Sequence, residues 1–161
     1  MRMHRFAGPA LAVALAVPAA AQMLERKDLS LAMALTIATT AADTCKAQGY
    51  RVSVTVVGRD GQVIVLLRGD NASPHTMENS MRKAYTARTF RVPSGEIVKR
   101  LKENPQFAAV FLTNVIATQG ALPITVGDDV IGAVGVSGAP GGDKDEACAK
   151  TGIDKVADQL K

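Results

Sequence analysis

One stretch, Leu122–Glu146 (LPITVGDDVIGAVGVSGAPGGDKDE), leaves this chain few architectures to adopt. Leu122–Val126 is a short β-type run, Gly127-Asp128-Asp129 a tight turn, and Val130–Val136 a second run bounded by turn residues. The pattern predicts a hairpin whose second strand is buried. Gly132, Gly135 and Gly138 punctuate that strand. Interior glycines weaken a strand unless a bulge forms or something approaches the backbone closely. Ser137–Gly142 then reads as a glycine-rich loop opening into a helix. Asp143 is placed to cap that helix, with Glu146 at capping-box spacing. The arrangement is specific but does not by itself name a ligand.

The rest of the chain supplies partners for this hairpin. Asp28–Gln48 reads as a helix, with Leu31, Leu35, Ala38, Ala42 and Cys45 on one stripe and Gly49 at its end. Val52–Val57 and Val63–Leu67 are β-rich runs joined through Asp60-Gly61, a strong hairpin signal. The Arg68-Gly69-Asp70 triplet reads as a turn. Ser73 and Pro74 open a helix that runs to about Phe90. On it, His75, Asn79, Arg82 and Thr86 form a polar stripe, and Met77, Met81, Ala84 and Arg88 a mostly apolar neighbour. Ser94–Lys102 reads as a short amphipathic helix, and Asn104-Pro105 starts another through Phe111. Val115–Ala117 either continues it or begins a strand. Asp143–Leu160 is the last helix, with Ala149, Ile153, Val156 and Leu160 as its core stripe. The order α-ββ-α-α-ββ-α in one domain predicts an α+β fold with an antiparallel sheet.

That domain is expected to span residues 22–161. Residues 1–21 read as a signal peptide: Arg2 and Arg5 give a basic start, Ala10–Val17 is apolar, and Ala19-Ala20-Ala21 supplies the small residues of a cleavage site. The apolar run is short for a membrane span, so the expectation is export to the periplasm or beyond, not stable membrane insertion. Losing Arg2 and Arg5 takes Lys+Arg from 19 to 17 against 15 Asp+Glu, a net charge near +2. With no Trp and few aromatics to stack bases, the basic pI is not read as nucleic-acid binding.

Export also sets the reading of Cys45 and Cys148. An even pair in an oxidising compartment suggests a disulfide. A bridge would close a loop of roughly 100 residues, worth about 4–5 kcal/mol in the chain-entropy view. Cys148 falls about 100° round from the last helix's core stripe. Two free thiols are therefore the alternative.

With His4 in the signal peptide, His75 is the one histidine left. A three-histidine zinc site within one chain is excluded, and a Ser-His-Asp triad would have to use His75. His75 sits in a helix's first turn, where the N-terminal field favours the neutral, metal-binding imidazole. Arg82 follows two turns on, roughly 10 Å along the axis. A ligand spanning them would meet a metal-binding nitrogen and a cation, as haem does with its iron and a propionate. The bland alternative is a histidine on a solvated polar face. Met77, Met81 and Tyr85 are candidate ligands or wall residues that more often serve as packing. The glycine loop can hold an anion on backbone N–H groups, yet it lacks the lysine and spacing of nucleotide-binding loops. Asp143, Asp145 and Glu146 could bind a cation, but are better explained as favourable charges in a helix's first turn.

RKAYTA (Arg82–Ala87), GALPI (Gly120–Ile124) and IGAVGVSGAPGGDKDEACA (Ile131–Ala149) together resemble the GlcG-like, haem-binding family, over about Leu29–Leu160. The resemblance implies a profilin-like fold with a central five-stranded antiparallel sheet flanked by helices. It also implies homo-oligomers, with haem bound in some branches. Many relatives carry no histidine where His75 stands. The leading expectation is a periplasmic haem-binding protein. His75 would ligate iron, Arg82 and Lys83 would lie near the propionates, and Tyr85 and Met77 would line the pocket. Haem degradation is a further step that needs an open iron position and a reductant or peroxide, and the sequence shows neither. Two alternatives come from other classes. One is a binder of, or enzyme on, a small organic acid, held by Ser137, Gly138 and the loop amides with Lys83. The other is a ligand-free structural oligomer.

Overall fold

The computed structural model describes residues 23–161; the expected signal peptide and His4 lie outside them. Four strands form one antiparallel sheet: β1 (Ser53–Val57), β2 (Val63–Arg68), β3 (Ala121–Val126) and β4 (Asp129–Ser137), in the order β2-β1-β4-β3. Each hairpin pairs with itself, and β1 and β4 join them at the centre. The fifth strand implied by the family resemblance is absent among the described residues. The stretch between Phe111 and Gly120 runs as turns and irregular chain. Its Ile116 N–H donates to Thr86 Oγ1 instead of a strand edge.

The register divides the sheet into two unlike faces. Val54 and Val56 lie opposite Val136 and Val134 and point into the main core. Helices α1 (Leu31–Ala47) and α4 (Gly142–Asp154) cover that face. Ser53, Thr55 and Val57 lie opposite Ser137, Gly135 and Ala133 and point the other way. Helix α2 (His75–Phe90) covers these small and hydroxylated residues, and α3 (Ser94–Glu103) packs beside it against β3.

The approach of α2 explains a glycine. A Cβ on Gly135 would fall on the Ser80 carbonyl oxygen and the Ala84 amide nitrogen, backbone atoms that cannot swing aside. The contact is therefore helix backbone on strand backbone. Two buried hydroxyl pairs stitch it: Ser53 Oγ with Thr76 Oγ1 and Thr55 Oγ1 with Ser80 Oγ, each at 2.8 Å. The buried face of α2 is Thr76, Ser80, Lys83, Ala84, Thr86 and Ala87. Neither expected stripe matches it. Thr86 is buried and His75 exposed from the polar stripe, while Met77 of the apolar stripe is 36% exposed. The physical reason lies across the interface, where a hydroxyl-bearing sheet face satisfies a hydroxyl-bearing helix face.

The other helices show similar corrections. Helix α1 buries Ala34, Ile37, Ala38, Ala41 and Cys45, leaving Leu31 and Leu35 exposed. It starts later than expected, with Ser30 Oγ accepting from the Met33 N–H. Helix α4 is capped by Gly141 without a side-chain cap, and Glu146 accepts from Gln119 Nε2 instead of closing a capping box. It stops at Asp154, before the expected Leu160.

Cys45 and Cys148 form a disulfide, with their Cα atoms 5.7 Å apart and 103 residues between them in sequence. Cys148 does not sit at an open flank. Helix α4 packs both on the sheet and against α1 beside it, so its buried arc includes Asp145, Cys148, Ala149 and Gly152. A Cβ on Gly152 would meet the Ile37 carbonyl oxygen, which shows how closely α1 and α4 pack.

Candidate functional site

A cleft of about 390 Å³ opens where the end of β4 passes beneath the start of α2. Its walls come from three directions: His75, Asn79 and Lys83 of α2, Ser137 with the Gly138–Gly142 loop, and Thr118 with Gln119 before β3. Asp145 of α4 and Arg51 before β1 complete it. A neighbouring depression of about 370 Å³ between α1 and the start of β1 holds none of the expected site residues.

The cleft is anchored by a buried ion pair. Lys83 Nζ donates to Asp145 Oδ2 at 2.8 Å and to the Val136 carbonyl at 3.0 Å. Asp145 Oδ1 accepts from the Ala139 N–H at 3.0 Å. The two side chains are 5% and 4% exposed. Four elements thus meet at one contact: α2, the end of β4, the glycine loop and α4. Burial pushes the Asp145 carboxyl above its ordinary value, against the opposing pull of the Lys83 ammonium and the Ala139 N–H. Gly120, at φ +135°, lets the chain pass this pair; a Cβ there would lie 2.5 Å from Lys83 Nζ.

The site residues read from sequence separate into two groups. His75, Lys83, Ser137 and Gly138 line the one cleft. His75 is exposed at its rim, whereas Lys83 and Ser137 are buried in its floor. Met77, Arg82 and Tyr85 do not line it. Met77 faces solvent. Arg82 pairs with Glu78 at 2.8 Å along the outside of α2. Tyr85 lies against Gly61 in the β1–β2 turn, about 15 Å from His75 at 1.5 Å per residue. The expected pocket of His75, Arg82 and Tyr85 is therefore not assembled within one chain: Arg82, two turns along α2, is held by Glu78 outside the cleft, and Tyr85 lies against the β1–β2 turn.

Sequence reasoning missed three cleft residues. Asp145 does stand in the first turn of α4, but its carboxylate is the buried counterion of Lys83. Asn79 donates to Ser137 Oγ at 2.9 Å. Thr118 offers a buried Oγ1 with no hydrogen-bond partner. A signal existed for Asp145 alone: a lysine at the spacing of Thr76, Ser80 and Ala87 requires a buried carboxylate if that face is covered. Among the described residues no group of three or more His, Cys, Asp or Glu side chains is arranged to hold a metal ion. Nor is any described helix long and apolar enough to cross a membrane.

Fold and cleft together define a small α+β domain in which helices flank an antiparallel sheet and a glycine loop borders a polar cleft. The sequence model of the family described as "Haem degrading protein HbpS-like" matches residues 29–154, and the chain belongs to that family. Protein GlcG of Escherichia coli K12 is 30% identical over 109 residues, 68% of this chain and 81% of that protein. A crystal structure of HbpS superposes with a TM-score of 0.78 at 35% identity, covering 84% of this chain and 96% of the other. A crystal structure of PduOC in complex with haem shares the fold, with a TM-score of 0.72 at 20% identity over 80% of this chain and 95% of the other.

Proposed function

We propose that this protein binds haem at the mouth of the α2 cleft, with the iron ligated by His75. One observation carries the reading: in a chain of the HbpS-like family, the sole histidine among the described residues stands exposed on the rim of the cleft. Among the described residues no group of three or more His, Cys, Asp or Glu side chains surrounds it, so His75 suits an iron that brings its other ligands with it.

The fit of the remaining residues is specific. The cleft lining is polar and its volume of about 390 Å³ is small for a whole porphyrin, so it suits the carboxylate-bearing edge of the group. Arg82 and Tyr85 stand elsewhere, so the propionate and wall roles first expected of them do not transfer; Lys83 lies in the cleft floor, paired with Asp145. When bound, haem supplies a redox-active iron; this chain's own part is to hold it. Homo-oligomerisation belongs to the same proposal, since a second copy would cover the open side that one chain leaves to solvent. The proposed location is the periplasm or beyond, and the buried Cys45–Cys148 disulfide supports it, because such bonds persist in oxidising compartments.

The test is a haemin titration of the protein without a histidine tag, read in the Soret region. A saturable shift that disappears in His75→Ala is expected. An unchanged spectrum in that variant would remove His75 as ligand. A featureless, non-saturable titration would remove haem binding and leave a small-acid binder or a ligand-free oligomer.

A further inference from the structure

The cleft floor holds unused hydrogen-bonding capacity that the fold does not need. Ser137 is 3% exposed, and its Oγ accepts from Asn79 Nδ2. Among the described residues its hydroxyl hydrogen has no acceptor. Lys83, 4% exposed, spends two of its three N–H donors on Asp145 and the Val136 carbonyl. Thr118 Oγ1 is buried with no partner at all. Buried polar groups are nearly always satisfied, and an unsatisfied one costs about 1–3 kcal/mol. Of the three, Thr118 Oγ1 is the group without a partner; Ser137 and Lys83 each keep one spare donor, and one ligand in the cleft would take up all three.

Charge selects the kind of ligand. Asp145 cancels the charge of Lys83. The cleft's remaining full charge is Arg51 on the rim, which has no ion-pair partner among the described residues. A single cation on the rim, with the Asp143 carboxylate close to Gly141 on the same loop, and several hydrogen-bond donors suit a monoanion better than a phosphate dianion. We infer that the cleft floor is a carboxylate subsite, in which the Ser137 and Thr118 hydroxyls and the third N–H of Lys83 donate to one carboxylate group. Two sources share that chemistry: a propionate of the proposed haem, or a free small organic acid. Only the first source rests on the haem reading.

The experiment uses three probes on the same protein: acetate followed by amide NMR shifts of the Gly138–Gly142 loop, haemin, and haemin dimethyl ester, whose propionates are blocked. The diagnostic variant is Thr118→Val. It keeps the side chain's shape and removes a hydroxyl that bonds nothing, so the unfolding midpoint should hold or rise. Ser137→Ala is the second variant. Loss of one hydrogen bond to a charged group should weaken carboxylate binding about tenfold. If a propionate is the occupant, haemin binds at least about tenfold more tightly than its ester, and Thr118→Val narrows that difference about tenfold. If a free acid is the occupant, acetate saturates and weakens in both variants while haemin and ester behave alike. Acetate that never saturates or ignores both variants, together with equal binding of haemin and ester, overturns the inference while leaving iron ligation by His75 standing. Saturable, variant-sensitive acetate binding without any haemin binding does the reverse.

Discussion

Replacing Lys83 with Met would leave the Asp145 carboxylate buried beside an apolar side chain, with only the Ala139 N–H for company. The protein can respond by protonating it. From an ordinary value of about 3.9, neutralising a carboxyl costs at most about 4 kcal/mol at pH 7 and about 1.5 kcal/mol at pH 5, taking about 1.36 kcal/mol per pH unit. The Lys83–Val136 hydrogen bond adds about 1 kcal/mol with no pH dependence. The total agrees with the roughly 3–5 kcal/mol expected on breaking a buried pair from one side. Neither side chain is exposed enough for solvent screening to discount it. The sign of the pH dependence follows from Asp145. Its carboxyl is already raised in the wild type, burial being the main cause, and loss of the ammonium raises it further. A carboxyl raised on folding favours the native state at acid pH, and that advantage is lost as pH rises through the folded value. Urea unfolding of the disulfide-intact variant should therefore show a loss near 5 kcal/mol at pH 7 that shrinks to about half at pH 5. Replacing both partners, Lys83→Met with Asp145→Leu, should recover most of it. A loss that is the same at both pH values would refute the assignment of the cost to an unpaired buried carboxylate.

Other consequences are open to simpler measurements. Converting both Cys45 and Cys148 to Ala should cost about 4–5 kcal/mol in urea unfolding, given the 103-residue separation, and a loss below about 1 kcal/mol would count against the loop-closure account. Gly135→Ala should lower stability by about 1–3 kcal/mol or more, because the new Cβ meets α2 backbone; an unchanged thermal midpoint would mean that α2 lifts off the sheet freely. In carboxyl NMR titrations Asp129 should titrate below its ordinary range, held there chiefly by the hydrogen bond from Arg59, and Asp145 above its own. The Asp129 contribution to stability is present above its unfolded value and lost as pH falls through the folded one. Arg59→Gln should return Asp129 to the ordinary range.

Local chemistry made both hairpins readable. Asp60-Gly61 and Gly127 announce turns whatever the rest of the chain does, and the flanking runs end within a residue or so of the strands. The glycines of β4 announced a close approach without saying what approached. It is α2, and its buried face misleads any search for apolar periodicity. Thr76, Ser80 and Lys83 are buried because Ser53, Thr55 and Asp145 meet them, and those partners lie 23, 25 and 62 residues away. Cys148 was hard to place for a related reason: its burial is set by α1, packed against α4 from the other end of the domain. Of the candidate site, His75, Lys83, Ser137 and Gly138 could be named from residue type and local position. Thr118 could not, because an irregular segment carries no period from which a direction could be read.

The division between the two levels follows the range of the forces. From sequence alone came the elements, the turns, the even cysteine pair and the single candidate histidine, all consequences of neighbours within a few residues. The order β2-β1-β4-β3 was decided only in three dimensions, and with it everything that depends on β1 lying beside β4. That adjacency sets Ser53 and Ser137 side by side under the start of α2 and carries the glycine loop toward Lys83. A polar group's burial is decided by the partner waiting for it, and partners distant in sequence become neighbours only when the sheet closes.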